Sequence, residues 1–189
     1  MRDFLIDTNI WSYWFDQGRE PQHSNVMKRV HELKQTREGK QATFRVWISA
    51  ITWGEIEHGY QALKGQAQIL EVKFRQFMQD ISPAVLAVDR HVAQEYGRIK
   101  ALCFDRFGPQ KEKKSKRLRL NQLIDPISGR ELGIDDNDLW VVAQAVTRNM
   151  TLVSDDKLRR IRKVVGDSLN IENWAAESIS QVPGSGKPG

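Results

Sequence analysis

Cysteine is almost missing from this chain: its 189 residues include one, Cys103. A lone thiol cannot close an internal disulfide, so no covalent staple holds the fold, and a reducing cytoplasm is the expected setting. Cys103 lies between Leu102 and Phe104 with no histidine in a nucleophile motif beside it, so it reads as a small core residue rather than a catalytic thiol. Long apolar runs are missing too. The opening Met-Arg-Asp leads only into Phe4-Leu5-Ile6, which is too short for a secretory core, and no stretch approaches the ~20 apolar residues of a membrane span. A soluble protein, neither secreted nor membrane-bound, is the expectation. Histidines are few, and His23, His31, His58 and His91 stand at no ligand spacing to one another. A structural zinc site is thereby disfavoured, and these residues are read as surface or capping groups. No internal repeat is visible, which sets aside solenoids and propellers.

What is present is ordinary globular material, 40% hydrophobic and 28% charged, enough to bury a good core. Lys and Arg number 29 against 24 acids, a net charge of +5 that suits a polyanionic partner without requiring one. Short apolar runs alternate with amphipathic segments, the rhythm of an α/β domain on a mainly parallel sheet. Phe4-Leu5-Ile6, Val46-Trp47-Ile48, Val85 to Val88, Thr151-Leu152-Val153 and Leu169 to Ile171 are the strand candidates. Helices are expected after a cap at Thr8 or Asn9 through Trp11, Trp14 and Phe15, through Val26, Val30 and Leu33 to near Gly39, from Ser49–Thr52 through Leu63, and through Ile69 to Phe77. Further helices are expected after the cap Asp89, over 136–148, and as a short turn beginning at Asp155-Asp156. Residues 1–176 would form one domain and 177–189 a flexible tail, ending Pro-Gly-Ser-Gly-Lys-Pro-Gly.

The acids stand out by position. Asp7 follows an apolar strand directly, and Asp155-Asp156 follow another after Ser154. Glu55 and Asp138 are placed in the first turns of helices that begin at the same edge. In a parallel α/β sheet such residues emerge at the carboxyl ends of the strands, where ligands bind. Converging carboxylates repel one another, and a hard cation relieves that cost, so an oxygen-only set suits Mg²⁺ or Mn²⁺. Each acid taken alone also fits a plainer reading as a helix cap or a partner of the helix dipole.

Motif order then adds a resemblance. Leu5-Ile6-Asp7-Thr8-Asn9-Ile10 resembles the opening motif of PIN-domain nucleases, especially the VapC toxins of bacterial toxin–antitoxin pairs. Ile48 to Gly59, containing Glu55, is similar to the second motif, and Asn137 to Ala145, containing Asp138, to the third. Thr151 to Asp156 is similar to the fourth, and Ile171-Glu172-Asn173-Trp174 to the usual chain end. The resemblance implies a PIN-like three-layer α/β/α fold and a Mg²⁺- or Mn²⁺-dependent endoribonuclease, with RNA as substrate, a small antitoxin as partner and a homodimeric state. It carries Asp7, Glu55 and Asp138 over as metal-site acids. It prefers Asp156 as the fourth, with Asp155 near enough to share the task. Ser154 matches the family's hydroxyl position, and Thr8 is expected to orient Asp7; as an alternative, both simply cap helices. A housekeeping RNA-processing or DNA-directed nuclease, or an inactive nucleic-acid-binding module, are the alternatives.

Two segments depart from a compact member of that family, 17–45 and 105–133. Between Arg106 and Arg119 in the second, Arg106, Lys111, Lys113, Lys114, Lys116, Arg117 and Arg119 stand against one acid, Glu112. They form either an RNA-backbone contact or a solvated loop. Trp11, Trp14, Trp47 and Trp140 are expected in the core; Trp11 and Trp14, if exposed, would instead suggest an antitoxin or dimer groove.

Overall fold

The computed structural model describes residues 2–16, 18–35, 44–63, 68–108, 120, 123–124, 129 and 131–177. Among these residues five strands and seven α-helices follow in the order β1 (Arg2–Ile6), α1 (Thr8–Phe15), α2 (Pro21–Lys34), β2 (Phe44–Ser49), α3 (Ala50–Ala62), α4 (Gln68–Ile81), β3 (Ala84–Leu86), α5 (Arg90–Phe107), α6 (Asp136–Thr147), β4 (Thr151–Val153), α7 (Arg159–Val165) and β5 (Asn170–Glu172). The strands form one sheet in the order β3-β2-β1-β4-β5, and every pairing is parallel.

The short strands read as continuous apolar runs because both faces of the sheet are covered. Successive side chains point to opposite faces. Leu5, Leu86 and Leu152 therefore pack with α5, α6 and α7. Phe4, Ile6, Ile48 and Val153 pack with α1, α2 and α4. The result is the three-layer α/β/α arrangement. Trp11 and Trp14 are buried and stack 5.4 Å apart, which removes the groove alternative. Trp47 and Trp140 are half-buried, and Trp140 stacks on Tyr96 at 3.7 Å. Cys103 is fully buried, its thiol pushed up to about 11 by desolvation, as fits an inert core residue. Among the described residues no helix is long and apolar enough to cross a membrane.

Several local expectations need correction. Asp7, rather than Thr8 or Asn9, caps α1, because its carboxylate accepts the Thr8 N–H at 2.8 Å. The third strand ends at Leu86, short of Val88. The Leu86 carbonyl instead accepts a hydrogen bond from the Gln144 side chain of α6 at 2.9 Å. The second helix ends at Lys34, ahead of Gly39, and β5 is shifted one residue along, to Asn170–Glu172. Asp155 and Asp156 lie in a bend, and the helix starts at Arg159. Residues 178–189, most of the expected tail, and Lys111, Lys113, Lys114, Lys116, Arg117 and Arg119 lie outside the described residues.

Candidate functional site

The chain enters the sheet at its centre with β1, builds outward through β2 and β3, then returns to add β4 and β5 on the other side. The order therefore reverses between β1 and β4, and crossover helices leave in opposite directions there. Such a switch point opens a crevice at the carboxyl ends of the two strands. The backbone closes the base of that crevice, with the Asp7 N–H donating to the Val153 carbonyl at 3.0 Å and the Ser154 N–H to that of Glu172 at 3.1 Å. Asp7 leaves β1 and Ser154-Asp155-Asp156 leave β4 on its two sides.

Two further helices bring acids to it. Ser49 ends β2 and caps α3, its hydroxyl accepting the Ile51 N–H at 2.9 Å. Glu55 therefore falls in the second turn of α3, one turn later than expected. Asp135 caps α6 by accepting the Asn137 N–H at 2.8 Å, which leaves Asp138 in the first turn as expected. Asp7, Glu55, Asp138 and Asp156 line one cleft of ≈ 660 Å³, together with Asn9, Asn137 and His58.

Hydrogen bonds fix three of these acids. The Ser154 hydroxyl, buried, donates to Asp7 at 2.7 Å. Glu55 accepts from the Asn137 amide at 2.7 Å and from the Thr8 hydroxyl, so the Thr8 side chain orients Glu55 while only its backbone serves Asp7. The Ser154 hydroxyl also accepts the Asp156 N–H at 3.1 Å, and the Asp156 carboxylate accepts the Leu158 N–H at 3.1 Å. Asp155 is held differently. Its two oxygens accept from Asn9 at 3.1 Å and from the Tyr13 hydroxyl at 2.9 Å, and it does not line the cleft. Between the neighbouring pair, the cleft thus holds Asp156.

Asp138 has no hydrogen-bond partner among the described residues. Burial, then the charges of Asp7, Asp156, Asp135 and Glu55, push its carboxyl up to about 7. Burial also raises Asp7, opposed by the hydrogen bonds from Ser154 and Thr8 and reinforced by Glu55 and Asp155. These are oxygen donors in mutual repulsion, the set that a hard divalent cation suits. Among the described residues no three acidic or histidine side chains already enclose a single point tightly enough to hold an ion.

Sequence reasoning missed the hydrogen-bonding role of Asn137 and the clamp of Asn9 and Tyr13 on Asp155. It read His58 as a surface or capping residue; His58 is exposed, but it also lines the cleft one turn after Glu55 on the same helix face, which was not foreseen. That spacing was the signal that could have found it. Arg106, the one described residue of the expected RNA-contact set, lies on α5, where its guanidinium donates to the Lys163 carbonyl at 3.1 Å.

Comparison with known proteins bears on the fold and the family. No curated protein sequence matches the chain. Its fold is similar to VapBC2 from Rickettsia felis bound to a DNA fragment from their promoter, at TM-score 0.59 and 18% identity, covering 91% of this chain and 98% of that one. It is similar to DNA-bound VapBC from Salmonella typhimurium, at TM-score 0.58 and 21% identity, covering 92% and 99%. FitAcB from Neisseria gonorrhoeae is similar at TM-score 0.58 and 19% identity, covering 90% and 97%. Residues 4–164 match the PIN domain. The chain belongs to the PIN domain family.

Proposed function

We propose that this protein is a divalent-metal-dependent endoribonuclease and the toxin of a toxin–antitoxin pair. The observation that carries the reading is the convergence of Asp7, Glu55 and Asp156 around Asp138, whose carboxyl is pushed up to about 7 by burial and then by the neighbouring charges. An acidic cleft of this kind repels nucleic acid unless a cation occupies it, so a binding module gains nothing from it. In this reading Asp7, Glu55, Asp138 and Asp156 hold Mg²⁺ or Mn²⁺. A bound ion of that class acidifies a water and offsets charge on the phosphoryl oxygens. The chain's own contribution is orientation. Ser154 and the Thr8 N–H aim Asp7, Asn137 and the Thr8 hydroxyl aim Glu55, and Asn9 with Tyr13 turn Asp155 aside.

A second cleft of ≈ 460 Å³ opens from Thr8 and Glu55 between α1, α3 and α4, with Ile56, Tyr60 and Phe74 along it and Arg19 and Lys73 among its lining. Its mixed lining suits a segment of an antitoxin, which would block the acids by lying beside them. The toxin subunit pairs with a second copy in this reading.

Purified protein should cleave RNA with Mg²⁺ and stop on chelation. Asp7→Ala and Asp138→Ala should fall to background, and Ser154→Ala or Asn137→Ala should lose about 10–100-fold in metal affinity. Induced expression should arrest growth for wild type and spare cells carrying Asp7→Ala. Undiminished cleavage by Asp138→Ala would overturn the mechanism.

A further inference from the structure

The acidic cleft does not end at the carboxylates. Asp138 and Asp156 also line a neighbouring groove of ≈ 630 Å³, together with Asp155, that runs along the β4–α7 connection and α7. The wall of that groove carries Lys157, Arg159, Arg160 and Lys163. From Lys157 to Lys163 the chain has five cations in seven residues and no acid. Ile161 and Val165 are buried in the core, which fixes the rotation of α7 and leaves Lys157, Arg159 and Lys163 exposed.

Although Asp138, Asp155 and Asp156 line the same groove, these cations form no ion pair with a carboxylate among the described residues. Among the described residues Arg2, Arg29, Arg45, Arg75, Arg98, Lys100 and Arg148 each form an ion pair with a carboxylate. No ion pair among the described residues involves Lys157, Arg159, Arg160, Arg162 or Lys163. Arg159 and Lys163 are four apart on one helix, where like charges repel. Two backbone contacts brace the strip further: Arg160 donates to the Leu132 carbonyl, and Arg106 donates to that of Lys163 at 3.1 Å. A braced row of like charges, without carboxylate ion-pair partners among the described residues and lining a groove with the acids, is arranged for an external polyanion.

The geometry points to the following assignment: Lys157, Arg159 and Lys163 bind the phosphate backbone of the RNA on one side of the bond to be cut, with Arg160 holding the groove wall. This deepens the ribonuclease reading and rests on it. The acids alone repel the phosphates they must approach, and the strip next to them offsets that repulsion. Contacts of this kind position the strand without reading its sequence.

The test compares wild type, Arg159→Gln/Lys163→Gln, and a charge-matched control on α2, Lys28→Gln/Lys34→Gln, whose residues are exposed and line neither the acidic nor the basic groove. Binding of a labelled 2′-O-methyl single-stranded RNA is followed against KCl in chelator, and cleavage of the matching RNA is followed with Mg²⁺. Each phosphate no longer neutralised lowers the slope of log affinity on log salt by about 0.7, so the groove variant should drop by about 1.4 and the control not at all. The groove variant should also raise KM with kcat nearly unchanged, and all three proteins should keep one thermal midpoint. Equal slopes for the groove variant and wild type, or equal drops in groove variant and control, overturn the assignment. Wild type that neither binds nor cuts RNA sinks the ribonuclease reading itself, a different result from wild type that does both while the groove variant matches it.

Discussion

Asp138 concentrates the cost of the site in one side chain. It is mostly buried, faces four other acids and has no donor among the described residues, so its carboxyl stands near 7 instead of the ordinary value of about 4. The sign of the consequence is unusual for a carboxylate. Between about pH 4 and about pH 7 the folded chain holds this proton and the unfolded chain releases it, so folding stability drains away as pH rises through that window. Asp3, Asp89, Asp136 and Glu172, held low by basic or hydrogen-bonding partners, act the opposite way and lose stability as pH falls. The difference between two proteins isolates the one group. In chelator, Asp138→Asn should melt above wild type at neutral pH, and the gap should shrink toward zero as pH falls to about 4. Thermal melts across that range check it; a variant that melts with or below wild type at neutral pH would show that Asp138 is not strained.

At the scale of elements, the strands and their order of burial were legible because Phe4-Leu5-Ile6 and Thr151-Leu152-Val153 are apolar without alternation, as parallel strands covered on both faces must be. The ends of elements were less so. Val88 is as good a strand former as Val85, and what stops β3 at Leu86 is tertiary. The Gln144 side chain, fully buried on α6, donates to the Leu86 carbonyl at 2.9 Å and that of Ala87 at 3.3 Å. No local pattern announces such a contact. Of the site, Asp7 and Asp138 were legible from strand and cap positions, and motif order tied in Glu55 and Asp156. The partners that aim them, Thr8 for Glu55 and Tyr13 for Asp155, depend on how α1 lies across the crevice. The basic strip at 157–163 was open to inspection as composition, but only the burial of Ile161 and Val165 and the lining of the groove show which of its cations share that groove with the acids. The Gln144 contact is itself testable. Gln144→Leu keeps the volume and strands the Leu86 carbonyl, a cost of about 1–3 kcal/mol. Removing the amide oxygen, which has no partner of its own, offsets part of that loss. The net expectation is a fall of about 1 kcal/mol, read as a lower urea midpoint with unchanged m-value.

Across the whole molecule the repulsion sits where it does least structural harm. The two core clusters fill the faces of the sheet, while the acids collect at its carboxyl edge, just past β1 and β4 and on α3 and α6, outside both clusters. The fold can therefore carry an unfavourable cluster because the hydrophobic layers do not depend on it. If a cation relieves that cluster, binding and stability must be linked. A ligand that binds only the folded state adds RT ln(1 + [L]/Kd), about 2.7 kcal/mol when it stands a hundredfold above Kd. Wild type should accordingly melt higher as Mg²⁺ or Mn²⁺ is raised, with Ca²⁺ or a chelator separating ion chemistry from ionic strength. Asp138→Asn should start above wild type in chelator and gain little from the metal, so that wild type overtakes or meets it when saturated. Asp7→Asn should lose the metal response as well, since Asp7 lies at the base of the same crevice. That crossing of the two stability orders is the signature of carboxylates kept strained for a cation. Parallel curves for wild type and Asp138→Asn, shifted equally by metal, would place the ion elsewhere and return the acids to the role of helix caps.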